Sequence, residues 1–277
     1  MRILLAGGAG AIGRQLAPGL VEAGHTVYAT TRKPEREGVI REMGGEPVLL
    51  DVLDREAVLA AVASIQPDAI IHQLTDLAGG VGAGNSYIRI HGTRNLVDAA
   101  KANGIERMVT ESIAWIIEPG DTPSTEETPL DLASGDAGIA ACKTMEDATH
   151  ELPLGIVLRY GYLYGPGTWY SRDQQNGIAA KNGTLPATPA IANFIHAVDA
   201  ARAAVAALEW PAGLVNIVDD EPAPGTEWVP AFAAALGGPP PPIESGPVEG
   251  RPISNAYAKS LGFTFDYPSW RVGFQTL

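Results

Sequence analysis

Three glycines, Gly7, Gly10 and Gly13, are spaced as GxxGxxG directly after a short apolar run and directly before a helical pattern carried by Leu16, Leu20 and Val21. A strand, a tight turn and a helix start in that order build a phosphate cradle. Glycine lets the backbone approach a pyrophosphate with no Cβ in the way. The helix start through Ala11 and Ile12 offers unpaired N–H groups and a partial positive charge. The next expected strand, residues 26–31, ends in Thr31 and runs directly into Arg32. At that strand end a carboxylate holds the ribose 2′-hydroxyl of NAD, whereas an arginine accommodates a 2′-phosphate, so Arg32 points to NADP(H), with NADH as a weaker substitute. Asp51, after the run 46–50, stands where an adenine amino group needs an acceptor. Ser112 closes the run 108–112, at the strand edge where open α/β sheets bind ligands.

Positioning these groups takes alternating strands and helices. Residues 68–74 read as a further buried strand, 75–85 as a glycine-rich loop mobile beside a ligand, and 91–100 as a helix with apolar residues at helical spacing. The run 108–112 is the strand after it, 116–138 a long loop rich in Pro, Thr, Glu and Asp, and residues 139–143 open another helix. This alternation predicts an α/β fold, a doubly wound parallel Rossmann sheet.

Composition narrows the partners. The 277 residues are 45% hydrophobic and 18% charged, enough for a substantial core, and the net charge of −13 disfavours nucleic acid or an anionic membrane surface, both of which need a basic face. Cys142 is the single cysteine, which excludes an intramolecular disulfide and a cysteine metal cluster; no metal site is expected. No run approaches a membrane span, so a cytoplasmic monomer or homodimer is expected.

The order of motifs resembles the extended short-chain dehydrogenase/reductase family, the group of sugar-nucleotide epimerases, dehydratases and ketoreductases. The resemblance runs through GGAGAIG, the pair Asp51-Val52, IIHQL, HGTRNLVDAA, VTESIAW, LRYGYLYGPG, FIHAVDAA, NIVDDEP and LGFTFDYPSW. It implies that Val52, Gln73, Leu74 and the backbone at Tyr160 line the dinucleotide. It also implies that Ser112 holds a substrate oxygen and that Lys143 binds the nicotinamide ribose and stabilises an alkoxide. His72 and His196 then serve packing and hydrogen bonding. The resemblance further implies a smaller C-terminal substrate-binding lobe, with 1–167 and the returning segment 191–218 in the dinucleotide-binding part and 168–190 with 219–277 in the lobe.

Two departures stand out. The family carries Tyr-x-x-x-Lys, and four residues before Lys143 stands Ile139, which can neither give nor take a proton. The family's Asn-Val-x-Gly-Thr becomes Arg89-Ile90-His91-Gly92-Thr93. Ser112 is expected to have no adjacent base through which to relay a proton. Lobe cations Arg172, Lys181, Arg251 and Lys259 are scattered, which favours an uncharged, largely apolar substrate over a nucleotide sugar. Together these readings imply an atypical NADPH-dependent ketoreductase resembling those that tailor angucyclinone antibiotics, acting on an aromatic polyketide-type ketone that supplies its own proton. The alternatives are a non-catalytic NADP-binding sensor and a nucleotide-sugar epimerase or dehydratase.

Overall fold

Strand β1, Arg2–Ala6, is buried at every residue after Arg2. A strand apolar on both faces belongs in the middle of a sheet covered on both sides, and the computed structural model, which describes residues 1–75 and 83–277, places it there. Strands β2 (Thr26–Thr31), β3 (Glu46–Leu49), β4 (Ala69–His72), β5 (Arg107–Ile113) and β6 (Leu154–Tyr160) join it, with Gly213–Ile217 at one edge. The spatial order is Gly213–Ile217, β6, β5, β4, β1, β2, β3. The pairs β1–β2, β1–β4, β2–β3 and β4–β5 are parallel, with Leu4 opposite both Tyr28 and Ile70. Chain order reverses between β1 and β4, the switch point at which such sheets bind ligands beyond their C-terminal strand ends.

One face of the sheet, through Leu4, Ile70 and Met108, packs on Val58, Val62, Leu96, Val97, Ala100 and Ala148. The helices concerned are α3 (Arg55–Ile65), α5 (Thr93–Ala102) and α6 (Ala137–Thr149), which follow α1 (Ala11–Glu22) and α2 (Glu37–Glu42) in the chain. Helix α3 begins on Asp54, whose carboxylate accepts from the Ala57 N–H at 3.0 Å, and α6 on Asp136, which accepts from Gly138 and Ile139.

Of the expected loop 75–85, residues 76–82 lie outside the described residues. From Ala83 the chain is helical: α4 (Ala83–Tyr87) passes through a π-helical turn, Ile88–Gly92, into α5. The helix expected from His91 therefore starts eight residues earlier than its periodicity suggests.

The chain divides into two units. One comprises Met1–Ser112, Leu132–Leu158 and Ala201–Leu214; the other comprises Ile113–Asp131, Arg159–Ala200 and Val215–Leu277. Residues 113–131, 159–167, 191–200 and 215–218 thus fall in the second unit rather than in the first, where the expected division puts them. Hydrogen bonds explain the assignment: Ala114 N–H donates to Tyr160, Asn216 N–H to Glu126, and the Arg251 guanidinium to the carbonyls of Glu118 and Thr122. The second unit has its own core, in which Phe194 meets Trp228 and Phe274 edge to face at 5.0 and 5.4 Å.

Candidate cofactor and active site

The glycine turn is built as a cradle. Gly7 has φ +95°, and a β-carbon there would stand 2.7 Å from the Gln73 carbonyl oxygen. The Gly10 N–H closes the turn on the Gly7 carbonyl at 3.0 Å, and the Gly7 N–H is held by the Thr30 hydroxyl at 3.2 Å. Helix α1 starts from Gly10 with no side-chain cap and no acidic residue in its first turn, so among the described residues no side chain caps the N–H groups of Ala11, Ile12 and Gly13. An uncapped start behind a turn that excludes side chains fits a dinucleotide pyrophosphate.

The neighbouring strand ends are equally specific. The Thr31 hydroxyl accepts from the Lys33 N–H at 3.1 Å, which shapes the turn presenting Arg32. Arg32 is exposed and pairs with no carboxylate among the described residues. Asp51 accepts from the Leu53 N–H at 3.0 Å, and Asn95 holds the carbonyl of buried Val52 at 2.8 Å. His72 donates to or accepts from Thr93 at 2.9 Å and takes the Leu74 N–H on Nδ1, which pins the Gln73-Leu74 segment. Burial, with Arg89 adding to it, pushes the His72 pKa down to about 3, so its ring is neutral and structural.

Helix α6 carries Ile139, Lys143 and Glu146 at spacing i, i+4, i+7, one face of the helix. Here the structure corrects the sequence reading. Ser112 does have an adjacent carboxylate: its Oγ donates to Glu146 Oε1 at 2.7 Å, with both residues buried. The serine proton expected to hold a substrate oxygen is thus directed into the protein. Lys143 is bound through Nζ to both carboxylate oxygens of Asp147, at 2.6 and 2.5 Å, one turn on. The departure at Arg89 is also physical rather than cosmetic. Arg89 is buried on the π-helical turn near Glu111, whose pKa burial lifts to about 7 while Arg89 opposes the rise. Glu111 Oε1 and Arg89 Nε hydrogen-bond no described residue. Sequence reasoning misses both Glu111 and Glu146. A signal for Glu111 exists, since it is an acid inside a short stretch read as a strand of a parallel sheet covered on both faces.

In the second unit, Tyr160 is buried with its hydroxyl given to the Ala200 carbonyl at 3.1 Å, so only its backbone remains for the role expected of it. Tyr164 is buried beneath Gly273, and burial raises its pKa. His196 accepts the Val198 N–H and stacks on Tyr267 at 3.8 Å. The lobe cations are committed within the unit: Lys181 to Asp173, Lys259 to Asp220, Arg172 to the Leu277 carbonyl, and Arg251 as above. Half-buried Trp115 and Tyr162 stack at 4.0 Å and 14°, forming a flat aromatic pair with Tyr170 on its edge.

A model of the NAD dependent epimerase/dehydratase family matches residues 3–218. The chain is 38% identical to a 3-diazoavenalumate denitrifying reductase from a Streptomyces species, over 99% of each chain. It is 34% identical, over 60% of its own length and 52% of the relative's, to 2-alkyl-3-oxoalkanoate reductase of Stenotrophomonas maltophilia. Among solved structures it is similar in fold to Thermus thermophilus UDP-glucose 4-epimerase in complex with NAD, at 22% identity and TM-score 0.77, covering 99% and 97% of the two chains. It is likewise similar to Bacillus anthracis dTDP-glucose 4,6-dehydratase with NAD, at 18% identity and TM-score 0.81, covering 99% and 94%.

Proposed function

Because the chain belongs to the NAD-dependent epimerase/dehydratase family of extended short-chain dehydrogenases/reductases, we propose that it is an NADPH-dependent reductase of a hydroxylated, hydrophobic aromatic ketone of the angucyclinone polyketide type, acting in antibiotic tailoring. Ile139 carries this reading: an alkyl side chain stands one turn before Lys143 on α6, where a proton donor would otherwise be. The glycine cradle and Arg32 hold the dinucleotide, which supplies a hydride when bound. Reduction forms a C–H bond and leaves the carbonyl π pair on oxygen as an alkoxide, and general-acid help to such a centre is typically worth about 10² to 10⁴ in rate. Ile139 has no proton to give, Ser112 gives its own to Glu146, and Lys143 is held by Asp147. A phenolic or enolic hydroxyl beside the ketone has a pKa near the ~10 of tyrosine and supplies the proton, which solvent then restores. Lys143 stabilises the alkoxide and the ribose by charge.

A second reading is favoured by the relative matched over 99% of both chains, whose name describes a denitrifying reduction of a diazo compound. On an aryl diazonium the hydride pair becomes the new C–H bond, while the C–N bond breaks and its pair leaves with N2. No alkoxide forms, so Ile139 is no handicap. Purified protein supplied with NADPH, hydroxylated aromatic ketones and an ortho-hydroxyaryl diazonium separates the two. Alcohol formed one-to-one with NADPH oxidised supports the first reading; N2 release instead replaces it with the second; neither product overturns both.

A further inference from the structure

Ser112 and Glu146 lie 34 residues apart in the chain and 2.7 Å apart in the fold, 2% and 3% exposed. A rung below, the hydroxyls of Thr149 of α6 and Thr110 of β5 are hydrogen-bonded at 2.9 Å, so the two elements are joined by two side-chain hydrogen bonds. The upper rung has a chemical consequence that the lower one lacks. A serine has one proton and two lone pairs, and a carboxylate offers only acceptors. Once the Ser112 proton is given to Glu146, what remains on Ser112 for a ligand is lone pairs. A carbonyl oxygen finds no donor there. Turning the proton round gives up the hydrogen bond to the carboxylate, which costs about tenfold to a hundredfold in affinity.

We propose that Glu146 is a positioning residue which fixes Ser112 as a hydrogen-bond acceptor, so that the site selects a ligand carrying a hydroxyl donor, a phenol or an enol, against its O-methylated counterpart. Proton direction then sets specificity: Ser112 recognises the substrate hydroxyl rather than the reacting carbonyl. The same hydroxyl is the proton source in the reductase reading, so Ser112 orients it for that transfer. The proposal deepens that reading and rests on it for the identity of the ligand, but it concerns recognition and is tested by binding.

The probes are 2-hydroxyanthraquinone and its methyl ether, titrated into NADP-loaded protein and followed by quenching of tryptophan emission. Wild-type protein is expected to bind the phenol about tenfold to a hundredfold more tightly than the ether. Glu146→Gln places an amide N–H beside Ser112 Oγ, frees the serine proton to turn round, and is expected to abolish or invert that ratio. A purely structural tie between β5 and α6 predicts a lower melting temperature with the ratio intact. Retention of the wild-type ratio in Glu146→Gln, equal binding of both probes by wild type, or binding of neither overturns the proposal. Should Glu146→Gln fail to fold, Ser112→Ala serves instead: loss of the ratio with NADP affinity kept supports the proposal, and a kept ratio overturns it. Discrimination without ketone turnover refutes the reductase reading alone; turnover without discrimination refutes this proposal alone.

Discussion

A β-carbon on Gly13 would stand 2.3 Å from the carbonyl oxygen of Gly7. The first turn of α1 therefore rests directly on the glycine turn, and any side chain at residue 13 pushes the two apart. Gly13→Ala is expected to cost about 1 to 3 kcal/mol through overpacking and to weaken dinucleotide binding at least about tenfold. Calorimetric titration with NADPH checks it; wild-type affinity in the variant would remove the cradle from the binding site.

Arg32 should read the 2′-phosphate. Its removal in Arg32→Ala is expected to weaken NADPH by about 1 to 3 kcal/mol, the worth of a charged hydrogen bond, and to leave NADH nearly unchanged. Dissociation constants for both dinucleotides decide the matter, since equal losses would assign Arg32 a role unrelated to the phosphate.

Lys143 and Asp147 form an exposed i, i+4 pair, and such pairs contribute well under 1 kcal/mol to stability. Asp147→Asn is thus expected to leave the melting temperature within a degree or two and dinucleotide affinity no weaker. Lys143→Ala should raise the dissociation constant about tenfold. If both variants bind like wild type, Lys143 does not touch the cofactor.

Glu111 makes stability depend on pH. Burial raises its pKa from 4.5 to about 7, so the folded chain holds this proton more tightly than the unfolded chain does. Its contribution is complete below about pH 4.5 and is lost as pH rises through 7, with a slope of at most about 1.4 kcal/mol for each pH unit. Asp219, raised by burial to about 8, acts in the same sense. Glu111→Gln should flatten the fall in melting temperature between pH 5 and 8 without abolishing it. A curve parallel to wild type would show that Glu111 does not titrate there.

Local signals make much of this legible. The strand β1, the glycine turn and α1 are contiguous, and each is forced by residue type alone: buried apolar residues, a positive φ at Gly7, and no room at Gly13. Asp54 as the start of α3 follows from the same local logic. What the sequence does not disclose depends on contacts far apart in the chain. Ser112 meets Glu146 only because β5 and α6 are packed side by side, and no periodicity relates the two positions. The motif that marks the backbone at Tyr160 as a cofactor contact likewise says nothing of its hydroxyl, which is given to the Ala200 carbonyl 40 residues on. The lobe cations can be counted in the sequence, but their neutralising partners, such as Asp220 for Lys259, cannot.

The π-helical turn at Ile88–Gly92 bears on how this chain is to be compared with others. A π turn holds one residue more than the α turn it replaces, and each residue of an α-helix advances the phase by about 100°. Relative to α5, everything upstream of Gly92 is therefore rotated by about one residue's worth of phase. Deleting a single residue within the turn would restore an unbroken α-helix from Ala83 to Ala102 and swing Arg89 away from Glu111. The burial of this arginine is thus a matter of helical phase as well as of residue type, and a column-by-column alignment that credits residue 89 alone assigns to chemistry what belongs to phase.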